Sequence, residues 1–98
     1  MAYKDTVIEH LRLCTLRLLE EDGNYTLNES LARDMTRDWG FTPTRDHFRT
    51  QLAWLQEQGL VTLGGEDTCY IVTLTERGLD VAQGNAIVPG VKRRGPGA

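Results

Sequence analysis

The sequence predicts a small α+β domain that is mainly helical, with three helices, a β-hairpin and a fourth helix. Apolar residues recur at helical spacing in three segments before Gly59. After Gly59 the pattern changes to that of strands, with the β-branched and aromatic run "TCYIVTL" at residues 68–74. A chain of 98 residues is long enough for one modest core and too short for two. We therefore expect a single domain.

The first helix is predicted over residues 4–22 and ends at Gly23. One apolar stripe at helical spacing defines it: Val7, Leu11, Cys14 and Leu18. Leu13 and Leu16 point away from this stripe, so the helix is apolar on more than one side. Either the C-terminal helix of the same chain or a second copy of the protein covers that second side. We assign Leu13 and Leu16 to a dimer or partner surface and predict a homodimer.

The second helix is predicted to begin after Asn28, whose side chain can accept N–H groups of the first turn. Its buried side is predicted from apolar residues at four-residue spacing, which are Leu31, Met35 and Trp39. Gly40 ends it. Residues 25–27, just before it, are predicted to be extended and to pair with the later hairpin as a third strand.

The third helix is predicted from Thr44 to Gln58, with Thr42 as its N-cap and Pro43 at the start. Its buried stripe is Phe48, Leu52 and Leu55. The short connection from the second helix gives the layout of a helix-turn-helix. Trp54 projects to the side of this helix, so it either covers an edge of the core or belongs to a partner surface.

The hairpin is predicted from residues 60–63, the turn "GGED" and the strand at 68–74, and Thr75 then caps the fourth helix. Residues 85–98 contain three glycines, two prolines and a basic cluster without periodicity. We therefore predict a domain over residues 1–84 and a flexible basic tail over 85–98.

Two segments carry a resemblance to a known family. "LQEQGLV", residues 55–61, is similar to the end of the recognition helix and the start of the wing in MarR, PadR and ArsR-like regulators. "VTLTERGLDVA", residues 72–82, resembles their passage from the wing into the last helix. The resemblance spans roughly residues 4–84 and implies a winged helix-turn-helix fold. The chain also resembles small ArsR-like proteins of Mu-like phages and prophages.

The distribution of charge limits the ways in which such a protein could bind nucleic acid. The net charge is -3, all 14 acidic residues precede residue 85, and three of the 11 basic residues follow it. Most affinity for DNA comes from neutralised phosphates, so an acidic body is unfavourable. Glu66 and Asp67 at the predicted hairpin tip would also repel a phosphate backbone. DNA binding must therefore depend on local charge.

The candidate DNA contacts lie on the third helix and in the tail. Arg45 and Arg49 are one turn apart on the outward side, and arginine can donate two hydrogen bonds to guanine. The alternative is that both are surface arginines paired with nearby acids. The remaining candidates contact phosphates or neighbouring bases: Thr42, Thr44, Thr50, Lys92, Arg93 and Arg94.

Other classes of function find little support in the sequence. There is no catalytic constellation, glycine-rich phosphate loop or spaced set of metal ligands, so we expect neither an enzyme nor a metal or other cofactor. Cys14 and Cys69 are predicted to be unpaired, and the paired cysteines of metal-sensing ArsR-like proteins are missing. Without a signal peptide or membrane span, we expect a cytoplasmic protein.

These observations favour a transcriptional regulator, in a phage or prophage, that inserts its third helix into the major groove of double-stranded DNA. The alternative is a winged helix used as a protein-interaction module, for example a phage accessory or assembly protein. The arginines of the third helix favour DNA, and the acidic body and hairpin tip favour a protein partner.

Overall fold

The computed structural model describes residues 3–95 and confirms the α+β class and the predicted order of elements. The elements, in chain order, are α1 (Tyr3–Glu21), β1 (Thr26–Asn28), α2 (Glu29–Met35), a 3-10 helix (Thr36–Trp39), α3 (Arg45–Glu57), β2 (Val61–Glu66), β3 (Cys69–Leu74) and α4 (Glu76–Ala82). No helix in this part of the chain combines the length and the apolar character needed to cross a membrane.

The three strands form one antiparallel sheet in the order β1-β3-β2. The predicted third strand is therefore confirmed, and it pairs with β3, where Thr26 lies opposite Thr73. The hydroxyls of these two threonines are 3.2 Å apart, so a side-chain hydrogen bond adds to the ladder. The sheet thereby ties the start of α2 to the hairpin.

The junction between β3 and α4 contains almost no loop. Thr75 caps α4, as predicted, because its hydroxyl oxygen accepts the N–H of Gly78 at 3.0 Å. The same hydroxyl donates to the carbonyl of Gly59 at 2.7 Å, just after α3. This double use of one side chain fixes α4 to the end of α3.

The first helix, α1, is central, and the chain buries it on both sides. Leu16 is fully buried and Leu13 is only 8% exposed, and both belong to the core cluster that also contains Val81 and Val88. This corrects the assignment of Leu13 and Leu16 to a dimer or partner surface. This side of α1 packs against the C-terminal part of the same chain, which was one of the two alternatives, and not against a second copy of the protein.

The buried side of α2 differs from the predicted stripe. Leu31 and Trp39 are exposed, and the buried residues of this region are instead Glu29, Ala32 and Thr36. Asn28 caps α2 as expected, accepting the N–H of Leu31 at 2.7 Å. The helix then tightens after Met35 into the 3-10 form, which has three residues per turn, so a stripe drawn at α-helical spacing no longer predicts where Trp39 points.

The start of α3 is capped by Thr44 and not by Thr42. The Thr44 hydroxyl accepts the N–H of His47 at 3.1 Å, and the Thr44 backbone is extended, as an N-cap requires. Pro43 therefore precedes the cap, where its fixed φ also suits an extended chain. The predicted stripe of α3 is confirmed, since three of its side chains are fully buried: Phe48, Leu52 and Leu55.

Residues 85–95 lie against the body of the protein, which differs from the predicted flexible tail. Val88 and Val91 are buried in the core cluster. The guanidinium of Arg12 donates to the carbonyl of Gly90 at 2.9 Å and stacks 3.7 Å from the centre of the Trp54 ring. The composition of this segment predicted disorder. Burial of the two valines and the contacts of Arg12 with Gly90 and Trp54 instead hold it against the body. Trp54 accordingly covers an edge of the core.

Candidate functional site

The outward face of α3 carries two carboxylates and no basic side chain. Residues one turn apart along this face are exposed: Asp46, Thr50, Ala53 and Glu57. The Thr50 hydroxyl donates to the carbonyl of Asp46 at 3.0 Å, so the helix itself satisfies it. The centre of the predicted reading face is thus neutral to acidic.

Both predicted reading arginines turn from this face toward the hairpin. Arg45 donates from Nη2 to the carbonyl of Thr68 at 2.6 Å, and Arg49 donates from Nη2 to the carbonyl of Asp67. Both carbonyls belong to the turn between β2 and β3. The two arginines therefore link α3 to the hairpin tip.

Arg49 is also paired inside the protein. Its Nε lies 3.1 Å from each carboxylate oxygen of Glu29, whose side chain is only 4% exposed. The same carboxylate accepts the backbone N–H of Tyr70 at 2.8 Å, and the guanidinium lies 4.0 Å from the centre of the Tyr70 ring. Arg49 thus joins α2, α3 and β3, and the structure gives it a bracing role in place of the expected base contact.

Arg45 remains exposed and shares a cleft with a second arginine. The cleft has a volume of about 270 Å³ and is lined by Glu29, Ser30, Arg33, Arg45, Thr68 and Cys69. Within residues 3–95 the guanidinium of Arg33 has no hydrogen bond or ion pair, and the only lining carboxylate, Glu29, is already paired with Arg49. Two guanidinium groups therefore face a cleft that an anion could enter. Sequence reasoning missed Arg33, because its position four residues after Glu29 on α2 would predict an ion pair between the two.

The other predicted contacts on this side of the protein are weaker. Thr42 is exposed in the turn before α3, and the Thr44 hydroxyl is occupied as the cap. Glu66 and Asp67 are exposed at the hairpin tip. Their two carboxylates precede Thr68, which lines the cleft of Arg33 and Arg45. Local charge therefore favours an anion at Arg33 and Arg45 and opposes one at the tip.

The basic triplet near the C-terminus lies elsewhere, with α1 and the 3-10 helix. Arg94 is held by an ion pair to Glu20 at 3.3 Å and a bond to the carbonyl of Ala82 at 3.2 Å. Lys92 and Arg93 are exposed. None of the three lines the cleft of Arg33 and Arg45.

Three helices, a hairpin and a trailing helix, with the third helix against the hairpin, define a winged helix-turn-helix protein. No protein-family model matches the chain. Over 94 residues it is 47% identical to uncharacterized protein gp26 of Escherichia phage Mu, a match that covers 96% of this chain and 97% of gp26. The chain belongs to the family of phage Mu gp26, which confirms the predicted phage relationship.

Two further proteins are similar to the chain. An uncharacterized protein of Haemophilus influenzae Rd is 39% identical over 80 residues, covering 81% of this chain and 78% of that protein. A chain from the complex structure of hsRosR-S1 superposes with a TM-score of 0.66 at 16% identity, covering 82% of this chain and 70% of its own. At that identity the likeness concerns the fold.

Proposed function

We propose that this protein is a transcriptional regulator of a phage or prophage that binds double-stranded DNA without catalysing a reaction. The winged helix fold and the resemblance to MarR, PadR and ArsR-like regulators support the class. The observation that carries the proposal is the pair of guanidinium groups, Arg33 and Arg45, at the cleft between the starts of α2 and α3. A phosphate there would gain two charge-assisted partners.

In the proposed mechanism α3 enters the major groove and its first turn leads. Arg45 contacts the edge of a base or a phosphate, and Arg33 holds a neighbouring phosphate. The carboxylate of Asp46 and the hydroxyl of Thr50 face the groove floor, where a carboxylate can accept from the amino group of cytosine. Arg49 holds α3 in position for this contact and does not itself read a base.

A homodimer and a cytoplasmic location are part of the same proposal. Regulators of this kind bind paired half-sites about 34 Å apart, and two copies would supply two copies of α3. Leu13 and Leu16 are buried within one chain, so a dimer must use another surface.

The test is a titration with mixed double-stranded DNA at about 50 mM and about 200 mM salt, followed by fluorescence anisotropy. Wild-type affinity should fall steeply with salt. The double variant Arg33→Ala, Arg45→Ala should weaken binding. It should reduce the salt slope by about 1 if Arg33 alone contacts a phosphate and by about 2 if both arginines do, because each phosphate contact contributes about 0.9. The control Lys4→Ala, Arg77→Ala removes the same charge from α1 and α4 and should bind as wild type does. Absence of binding at the lower salt would overturn the proposal.

One observation favours a second function, that of a protein-interaction module such as a phage accessory or assembly protein. Four exposed carboxylates lie on the outward face of α3 and at the hairpin tip: Asp46, Glu57, Glu66 and Asp67. Such a surface repels phosphates and suits a basic protein segment. The same titration separates the two functions, because an interaction module shows no salt-dependent affinity for DNA.

A further inference from the structure

The end of the described chain forms a groove with α1 and the 3-10 helix, on surfaces that the proposed DNA contact does not use. Its volume is about 280 Å³. Basic side chains line its rim: His10, Arg17, Lys92, Arg93 and Arg94. Its floor is apolar and aromatic: Leu13, Cys14, Trp39 and Phe41. No carboxylate is among the described residues that line it, so the groove is both basic and apolar.

Arg17 lines this groove and has an unsatisfied donor beneath its surface. Its Nε is buried and has no hydrogen-bond partner among residues 3–95, and its guanidinium lies over the ring of Trp39, 4.8 Å from the centre. A buried N–H without an acceptor is unfavourable, and such a group in a folded protein calls for an explanation. An anionic oxygen bound in the groove would provide an acceptor for the guanidinium of Arg17, and a small shift of this side chain would bring its Nε into reach.

Lys92 and Arg93 provide two more available cations. Both are exposed, and neither side chain has a hydrogen bond or ion pair within the described chain, whereas Arg94 is paired with Glu20. Their position is nevertheless defined, because the backbone N–H of Lys92 donates to the carbonyl of Glu9 on α1 at 3.2 Å. Held cations cost less conformational entropy on binding than cations on a loose tail.

We propose that this groove binds an acidic segment of a partner protein. Its carboxylates pair with Arg17, Lys92 and Arg93, and one of its apolar side chains covers the exposed part of Trp39. The apolar floor favours a protein segment over a nucleic acid, because a phosphate backbone has nothing to place there. Trp39 is also a poor stacking platform for a base, since the guanidinium of Arg17 lies over its ring.

The test uses a fluorescent peptide with a repeating Glu-Leu-Asp-Phe sequence and measures anisotropy. The double variant Lys92→Glu, Arg93→Glu should bind this peptide at least about tenfold more weakly than wild type. The variant should fold, because both side chains are exposed and make no hydrogen bond or ion pair within the described chain. The control Lys4→Glu, Arg77→Glu makes the same change of charge on α1 and α4 and should stay within about twofold of wild type. A peptide of repeating Glu-Ser-Asp-Ser, which lacks the apolar side chains, should bind about tenfold more weakly to the wild-type protein.

Three results would overturn this proposal. The first is no binding of the Glu-Leu-Asp-Phe peptide, and the second is an equal loss in the two double variants. The third is tighter binding of a single-stranded or duplex oligonucleotide than of the peptide, lost in Lys92→Glu, Arg93→Glu, which would assign the groove to nucleic acid. The Arg33→Ala, Arg45→Ala variant should bind the peptide normally, so failure of the proposed DNA contact is distinguishable from failure here.

Discussion

The carboxylate of Glu29 and the guanidinium of Arg49 form an ion pair 3.1 Å long between the first residue of α2 and the middle of α3. Glu29 is almost completely buried and also accepts the N–H of Tyr70 in β3. Three elements that a helix-turn-helix must hold together thus meet at one carboxylate. Arg49 and Arg45, one turn apart, consequently have different roles.

The first prediction concerns stability. Arg49→Ala should lower the free energy of unfolding by about 3 kcal/mol, because it would leave the charge of Glu29 buried without a partner. This is the lower end of the range for breaking a buried ion pair, since the Arg49 side chain is partly exposed. Arg45→Ala removes one exposed bond to a backbone carbonyl and should cost about 1 kcal/mol or less. Urea denaturation measures both. Equal losses would show that Glu29 and Arg49 do not form the brace.

The second prediction separates the two threonines before α3. Thr44→Ala should lower the free energy of unfolding by about 1 kcal/mol, because the N–H of His47 loses its acceptor, whereas Thr44→Ser should retain most of it. Thr42→Ala should stay within about 0.5 kcal/mol of wild type. If thermal or urea unfolding ranks Thr42→Ala as the more damaging change, the cap is at Thr42 after all.

The third prediction concerns the close approach of α4 to the hairpin. A Cβ added at Gly78 would lie 2.0 Å from the carbonyl oxygen of Leu60 and 2.7 Å from a methyl group of Leu74. Gly78→Ala should therefore destabilise the protein by about 3 kcal/mol, since backbone must move to accommodate one methyl group. Gly64→Ala, where nothing lies within 4 Å, is the matched control and should change stability by less than about 0.5 kcal/mol. A mild effect at Gly78 in urea denaturation would contradict this packing.

The fourth prediction concerns alkaline pH. Burial raises the pKa of Cys14 from its ordinary value of 9.0 to about 12, with nearby Arg17 opposing the shift and Glu21 adding to it. The unfolded chain therefore loses this proton at lower pH than the folded protein. Above pH 9 and up to about 12, Cys14 should reduce the free energy of unfolding by up to about 1.4 kcal/mol for each pH unit.

Urea denaturation from pH 8 to pH 11 measures this contribution by comparison of two variants. Cys14→Ala should lose less stability per pH unit than wild type, whereas Cys69→Ala leaves Cys14 in place and should follow wild type. Parallel curves for Cys14→Ala and wild type would exclude the effect.

Most of the fold was predictable because its signals are local. Phe48, Leu52 and Leu55 repeat at helical spacing, and the caps at Asn28 and Thr75 follow from the hydrogen-bonding side chain before each helix. Trp39 failed this reasoning because the helix tightens after Met35 into the 3-10 form, a change that the apolar pattern does not indicate.

The site was harder to predict because it depends on partners far apart in the chain. Glu29 and Arg49 are separated by 20 residues, and no periodicity indicates that one neutralises the other. Arg12 and Gly90 are 78 residues apart, and their bond is one of the contacts that hold the segment before the basic triplet against α1. Residue type identified Arg45 and the basic triplet as candidate cations but missed Arg33, and only the three-dimensional pairing shows which cations are already occupied.

The bonds from Arg45 and Arg49 to the carbonyls of Thr68 and Asp67 bear on adaptability. They connect the hairpin tip to the first turns of α3, so the two elements present one continuous surface. A target that fitted only one of the two elements would have to break these bonds, at about 1 kcal/mol each, so a target that fits both is favoured. For the proposed duplex target, we expect sequences that bend easily to bind more tightly than stiff ones with the same contacted bases.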